Sequence, residues 1–467
     1  MNTIWKPDLA QFDGPKFLAL SRALRQAIQS GELSPGHKLP PVRDLAYDLG
    51  ITPGTVARAY QVATQEGLLS ATVGRGTFVA AASPRLGPTQ PLYMDMGHLK
   101  GQGNFLDLRA PVVPDVGQAA VFSEILAEMS AKMQGEWFDY TSQRDEAPLR
   151  AEVVKWLSYR MLGSVTPEDI ALTQGGQSAI LTILLCCLRG DRPVVLTEEL
   201  AYPGFRHAAR LARADVIGVE MDDQGIIPEA LEAVCRKTRA QVLCLTVVAQ
   251  NPTAARMGAE RRAAIAEIAR RHDLQVIEDN CYATPEHDLP AMRALIPERC
   301  WYIGGFAKTI SAALRFGYIV CPTGMGETAR LTAQHSFFAL SRPLHQMVLA
   351  LLQSGEAHRI RKAVGAALAE RAHALVNHLG AHDLGWQPGL PFMWVRLPSG
   401  WRASTFARMA EGQGVLLRSA DEYALIHGRA PHAVRLAVNG SLSIAAIEEA
   451  GDRLASLLRS PPGESYV

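Results

Sequence analysis

Three features are scarce in this chain of 467 residues, and each scarcity excludes something. Net charge is almost absent, with 47 Lys and Arg against 46 Asp and Glu for a formal +1. No global field therefore selects a partner, and any nucleic-acid contact must come from a local surface. Paired cysteines are missing. The seven present, Cys186, Cys187, Cys235, Cys244, Cys281, Cys300 and Cys321, are odd in number, contain no CxxC pair and lie mostly in apolar runs. They read as reduced core thiols of a cytoplasmic protein, without a disulfide or zinc framework. Long apolar runs are missing too. The longest, Ala179 to Leu188, falls short of the roughly 20 residues that span a bilayer. Met1-Asn2-Thr3-Ile4-Trp5-Lys6-Pro7-Asp8 carries no apolar signal region. The expectation is a soluble, cytoplasmic chain with no membrane partner.

What is present is ordinary globular material, 48% hydrophobic and 20% charged, in a chain long enough for two or three units at about 150 residues per domain. Within it, Trp301 to Tyr318 contains a lysine, Lys308, in an apolar run flanked by glycines. An ammonium taken out of water needs a partner, a shifted pKa or a chemical role. Lys308 alone fits a lysine snorkelling from a strand end. Arg315 adds a second reading. An aldehyde cofactor bearing a phosphate needs an amine for the aldehyde and a permanent cation for the phosphate.

The first eighty residues have a separate logic. Phe17, Leu18, Leu20, Leu24, Ala27 and Ile28 recur at helical spacing, and Gly31 stops the run. A proline-rich turn leads to a short helix from Val42 to Leu49. Gly50 breaks it, and Thr52 can cap a third helix from Pro53 to Glu66. After Gly67 the alternation of Leu68 to Val79 reads as two strands joined at Gly74-Arg75-Gly76, a hairpin with an arginine at its tip. Three helices and such a wing make a winged helix-turn-helix. The phrasing over residues 13 to 80 resembles the GntR family. In that arrangement the third helix enters the major groove of a double-stranded operator, with Thr52 and Thr55 at phosphates or base edges and Arg43 and Arg75 bracketing it. Pro53-Gly54 and Pro41 stand where relatives usually carry polar side chains, which moves specificity toward Arg43, Arg58, the Arg75-Gly76 wing or DNA shape. A helical protein-interaction module is the alternative.

Residues 81–104 are small and proline-containing in their first stretch and read as a linker, which sets the expected domains at 1–80 and 105–467. In the second domain short β-branched runs alternate with helical patterns, as in an α/β fold with a mainly parallel sheet. Ligands of such sheets bind beyond the C-terminal strand ends. Gly175, Gly176 and Gln177 follow the run ending at Leu172 and open a helix, an arrangement of free N–H groups that attracts an anion. Tyr202 follows Val194 to Thr197 and can present an aromatic face. Asn251 follows Val242 to Val247, and Asp279 and Tyr282 follow Val276 to Glu278. Separately these read as turns and caps. Together they are the types that keep a pyridine nitrogen protonated and hydrogen-bond its phenolic oxygen.

The Lys308 run and these strand-end residues resemble fold-type I aminotransferases dependent on pyridoxal 5'-phosphate. With the winged helix ahead of it, the whole layout resembles the MocR-type regulators. The resemblance implies a smaller C-terminal α+β subdomain and a Schiff base at Lys308. It also implies Asp279 on the pyridinium, Asn251 and Tyr282 at the phenolic oxygen, and Tyr202 stacked on the ring. Gly175, Gly176, Gln177 and Arg315 would take the phosphate. Arg435, in Val434-Arg435-Leu436-Ala437-Val438, would take the carboxylate of an amino-acid effector. Tyr140 would reach the cofactor phosphate of the partner in a homodimer, although Asp145 replaces the glycine usual in that loop. Function follows by the same resemblance: a DNA-binding regulator that senses an amino acid or related amine through an aldimine. An active aminotransferase with an appended DNA-binding domain is the alternative.

Overall fold

A computed structural model of the chain describes residues 5–12, 15–34, 36–65, 68–72, 76–80, 105–133, 135–282, 289–425, 428 and 430–460. The chain divides into two compact units, Met1–Pro91 and Leu92–Val467.

In the first unit, helices α1 (Lys16–Gln29), α2 (Val42–Asp48) and α3 (Pro53–Gln65) precede an antiparallel hairpin of β1 (Leu69–Thr72) and β2 (Gly76–Val79). The helical periodicity has a direct cause. Leu20 and Leu24 of α1, Leu45 of α2, and Val56, Ala59 and Tyr60 of α3 share one buried core. Each large aliphatic side chain among them contributes about 1.5–3 kcal/mol by leaving water. Thr52 caps α3 by accepting the Thr55 N–H at 3.3 Å. Trp5 joins this core from the N-terminal segment.

The second unit is built on a seven-stranded sheet. Its strands are β3 (Ile170–Thr173), β4 (Val194–Glu198), β5 (Asp215–Val219), β6 (Ala240–Leu245), β7 (Gln275–Asp279), β8 (Cys300–Gly305) and β9 (Gly317–Val320). Their spatial order is β3-β9-β8-β7-β6-β4-β5. Side chains alternate across the sheet, so Ile277 and Ile303 meet helix α4 (Gly176–Cys187) on one face. Val276, Leu243 and Leu245 meet helix α5 (Ala259–Arg271) on the other. Burial of both faces explains why these strands read as continuous apolar runs.

Strands β5, β4, β6, β7 and β8 are mutually parallel, whereas β9 is antiparallel to both β8 and β3. That single reversal matters for the site. The parallel strands deliver their C-terminal ends to one edge, and β9 delivers its N-terminal end there. A second, four-stranded antiparallel sheet follows, made of β10 (Leu384–Gly385), β11 (Phe392–Arg396), β12 (Arg418–Ser419) and β13 (Ala433–Ala437), in the order β10-β11-β13-β12. Helices α6 (Glu356–Leu379) and α7 (Ile444–Arg459) bury Ile360, Val364, Leu368, Ile447 and Leu454 in the core shared with it. This is the C-terminal α+β part.

Where β9 begins, Gly317 lies directly against the turn after β3. A Cβ on Gly317 would stand 2.7 Å from the Gly175 Cα. Gly317→Ala should therefore push the two backbones apart and destabilise this unit by about 1–3 kcal/mol, the usual cost of overpacking. Chemical denaturation of the variant beside the unaltered chain checks it, and equal midpoints would contradict the close approach.

Candidate functional site

Strand ends at the shared edge carry most of the functional side chains. Lys308 follows β8, and its half-buried Nζ donates to the Pro111 carbonyl at 3.3 Å. Burial, with the positive charges of Arg435 and Arg315 adding to it, brings its pKa down to about 8. The lysine is thus held as a poised amine, as a nucleophile toward an aldehyde requires.

Asp279 ends β7. Burial pushes its carboxyl up, while hydrogen bonds from the Cys281 thiol and backbone N–H oppose this. The carboxylate has no ion-pair partner among the described residues. A protonated pyridine nitrogen is the kind of group that would complete it.

Asn251 and Tyr282 come from neighbouring strand ends and meet. Asn251 Nδ2 donates to Tyr282 Oη at 3.1 Å, and Asn251 Oδ1 accepts from Arg435 Nη1 at 2.9 Å. Arg435 lies on β13 at 4% exposure, with its Nη2 donating to the Arg109 carbonyl at 3.3 Å. Its guanidinium also lies 5.1 Å from the Phe392 ring centre and 5.3 Å from that of Tyr423. A guanidinium offers a carboxylate two parallel N–H donors, so Arg435 is of the right type for such a ligand.

The anion cradle is built from α4 and β9. Gly175 caps α4 with φ +87°, and a Cβ there would stand 3.1 Å from Arg315 Nη2. Arg315 occupies the left-handed region at φ +45°, which costs a non-glycine residue roughly 1–3 kcal/mol. Its Nη2 donates to the Gln174 carbonyl at 3.4 Å. Guanidinium and helix N-terminus thus face the same turn, which suits a phosphate. A Cβ on Gly176 would meet Cys281 Sγ at 2.7 Å. Gln177 leans the other way, donating to the Gly204 carbonyl at 2.9 Å beside Tyr202, while its buried Oε1 has no protein partner. Tyr202 precedes its helix Pro203–Leu211, and burial pushes its phenol up to about 12. Lys308, Asp279, Asn251, Tyr282, Gly175 and Arg315 fit pyridoxal 5'-phosphate in amine, ring-nitrogen, oxygen and phosphate partners.

Tyr140 does not join this cluster. It is 84% exposed and stacks at 5.5 Å on Phe338, itself 68% exposed. Asp145 accepts from the Ser142 N–H at 2.8 Å and hydroxyl at 2.7 Å and pairs with Arg342 at 3.6 Å. The carboxylate thus has partners of its own where a glycine is usual.

Beneath Asn251 lies a network that no spacing announces. Glu198 is buried at the end of β4, and burial pushes its pKa up to about 8. Gln250 Nε2 and Thr246 Oγ1 each donate to Glu198 Oε2 at 3.1 Å. Gln250 Oε1 then accepts from the Thr253 N–H at 2.9 Å and hydroxyl at 2.7 Å. The available sequence signal was a glutamate closing an apolar strand.

In the first unit Arg43 is exposed on α2 and Thr52 is exposed at the start of α3. The Thr52 and Thr55 hydroxyls lie 2.9 Å apart and share a hydrogen bond. The Arg58 guanidinium sits 4.1 Å over the Phe17 ring, so α1 orients it. Arg75 lies outside the described residues. Gly76 has φ +113°, and a Cβ there would meet Lys38 Cε at 2.9 Å. Lys38, exposed and beside the wing, is a cation that no sequence motif announces.

Comparison with known proteins adds a lineage to this geometry. A model of the aminotransferase class I and II family matches residues 101–454, and a model of bacterial regulatory proteins of the gntR family matches residues 18–79. The chain is 28% identical over 464 residues to the uncharacterized HTH-type transcriptional regulator YdeF of Bacillus subtilis, covering 95% of either protein. It is 24% identical over 429 residues to the probable rhizopine catabolism regulatory protein MocR of Rhizobium meliloti, covering 86% of each. The 2-aminoadipate transaminase of Thermus thermophilus is 29% identical over 290 residues, 59% of this chain and 70% of that one. Among solved structures, an archaeal alanine:glyoxylate aminotransferase superposes with a TM-score of 0.68 at 24% identity, over 77% of this chain and 92% of that one. At that identity the likeness speaks for the fold.

The lowered pKa of Lys308 has a measurable consequence. Only the unprotonated amine attacks an aldehyde, so capture of pyridoxal phosphate by the cofactor-free chain should accelerate with pH and level off above about 8. Stopped-flow absorbance checks this. Acceleration continuing to about pH 10, the ordinary lysine value, would mean that burial leaves Lys308 unshifted.

Proposed function

The chain belongs to the aminotransferase class I and II family and carries a gntR-family domain ahead of that fold, and from that premise we propose a regulator whose DNA binding answers to an amino-acid ligand. It is a pyridoxal-phosphate-dependent transcriptional regulator of the MocR type. The observation that carries the reading is the pairing, in one chain, of a winged helix-turn-helix with a site holding Lys308, Asp279 and Arg435. The cofactor supplies an aldehyde and an electron-withdrawing ring. The chain's own residues do the rest.

Asp279 holds a proton on the ring nitrogen. Asn251 and Tyr282 orient the phenolic side, and Gly175, Gly176 and Arg315 take the phosphate. Arg435 selects the ligand. Its guanidinium binds a carboxylate in bidentate fashion, a geometry lysine performs poorly. An amine placed by that contact lies toward Lys308, so an α-amino acid matches both ends. On the DNA side, Arg43, Thr52, Thr55 and Arg58 face the duplex, and Arg75 and Gly76 belong to the same proposed contact set.

Homodimerisation belongs to the same proposal. Tyr140 and Phe338 form an exposed aromatic pair, and such a pair is better covered than wet. In the dimer Tyr140 extends to the phosphate cradle of the partner subunit.

A ligand shifts a conformational equilibrium only as far as its affinities for the two states differ, typically 1–3 kcal/mol, or about 5- to 150-fold. Arg435→Ala should abolish the change in operator affinity that an amino-acid effector causes, while cofactor absorbance and basal operator binding persist. Fluorescence anisotropy on a labelled operator, with and without a panel of amino acids, measures it. Rapid multiple turnover of the same amino acid with no effect on operator binding would favour a working aminotransferase instead.

A further inference from the structure

Opposite the cofactor edge, the seven-stranded sheet has a second edge, where the parallel strands begin. The register there is nearly level. Val194 of β4 pairs with Asp215 of β5 and with Ala240 of β6, Gln275 of β7 pairs with Val242, and Cys300 of β8 pairs with Val276. The residues just before these starts therefore stand in a row. Taken in spatial order they include Arg213, Arg192, Lys237, Arg239 and Arg299.

The charge on this row is only partly compensated. Arg192 pairs with Asp215 at 3.1 Å, and Arg299 with Asp273 at 3.1 Å. Arg213, Lys237 and Arg239 are exposed and have no carboxylate partner among the described residues. Arg189, in the loop before β4, donates to the carbonyls of Cys186 and Leu188, contacts that leave its charge in place. Glu232 is shared between Arg236 at 2.9 Å and Arg271 at 2.8 Å. Asp191, Asp215, Asp273 and Glu298 are exposed acids at this edge, and the last three are taken up by Arg192, Arg299 and Arg270.

Helix dipoles explain part of this and leave the rest. Lys237 closes its helix Pro228–Lys237, where a cation is favoured by about 0.3–1 kcal/mol. Arg213 and Arg239 lie beyond helix ends, in loops, where the dipole has fallen away. The core gains nothing from them, for they are exposed.

We propose that this row is a second DNA-contacting surface, in which Arg213, Lys237 and Arg239 at the strand-start edge of the large unit meet the phosphate backbone. The inference rests on the DNA-binding reading of the first unit and extends it. Strands about 4.8 Å apart place Arg213, before β5, and Lys237 and Arg239, before β6, across roughly 10 Å. That length faces about three phosphates of one DNA strand at 3.4 Å each along the axis. The loops 189–193, 212–214 and 237–239 contain no Trp, Tyr or Phe. Protein interfaces are usually anchored by those residues, whereas backbone contacts to DNA need only cations. The surface carries affinity and no sequence preference.

The test uses the full chain with its cofactor and a random-sequence duplex of about 60 base pairs, titrated across salt concentrations. Combining Arg213→Glu, Lys237→Glu and Arg239→Glu should lower the slope of log affinity against log salt by about 0.9 for each phosphate that is no longer neutralised, roughly 2–3 in all. The cofactor's absorbance and the melting profile should stay unchanged. Arg213→Lys with Arg239→Lys should keep the original slope, since the readout is charge. If the triple variant keeps the slope and affinity while Arg43→Glu loses both, the second surface is refuted and the winged helix remains the sole contact. If the unaltered chain fails to bind duplex at low salt, the regulator reading itself falls.

Discussion

A desolvated amine held near two guanidinium groups is the constraint from which the large unit's site follows. Lys308 could not stay charged there cheaply. Burial and the fields of Arg435 and Arg315 drive its pKa to about 8. The same geometry leaves Asp279 with a buried carboxyl pushed upward and no ion-pair partner among the described residues. A cation near Asp279, an aldehyde at Lys308 and an anion at the Gly175 turn would each relieve one of these conditions. One molecule with all three groups relieves them together. Strained or uncompensated groups of this kind are expected at functional sites, where the surrounding fold holds them in place.

The sheet's one reversed strand makes the arrangement possible. Were β9 parallel to its neighbours, the residues before Gly317 would lie at the opposite edge, and Arg315 could not reach the turn after β3. Gly317 and Gly175 come close enough to exclude a side chain, and that proximity aims the guanidinium at the start of α4. The left-handed backbone at Arg315 is the local cost of turning the chain at this point.

Much of this could be read from the order of residues alone. Apolar strand runs buried on both faces, glycine-opened helices and polar residues just past strand ends are local patterns, and Lys308, Asp279, Asn251 and Tyr282 all fall in them. What escaped depends on contacts between distant segments. Trp5 enters the first unit's core from outside any periodic run. Arg58 reads as a DNA-contacting cation, but that Phe17 of α1 lies beneath its guanidinium is not visible in the residue order. Glu198, Gln250 and Thr253 form their network only because β4 and β6 are neighbours. Cys281 reads as one more core thiol, yet its sulfur fills the space over Gly176 and its hydrogen bonds reach Asp279. The strand-start row of cations likewise needs the sheet order, since its members are scattered from Arg189 to Arg299 along the chain.

The Asn251 contacts also bear on how a ligand could be felt beyond Arg435. Before any carboxylate arrives, Arg435 is bonded to the Asn251 amide oxygen and the Arg109 carbonyl. Asn251 in turn donates to Tyr282, and the loop behind it is fastened through Gln250 to Glu198. A carboxylate is a stronger acceptor for a guanidinium than an amide oxygen, because the bond becomes charge-assisted. Its arrival therefore competes with Asn251 for the same donor. Any relaxation of Asn251 is then carried to Tyr282 on one side and to the buried Glu198 network on the other. A buried hydrogen-bond network of this kind favours discrete arrangements over graded ones, since a half-satisfied state leaves a polar group unpaired. In the proposed sensor this matters, because differential contact with two states is what turns binding into a signal.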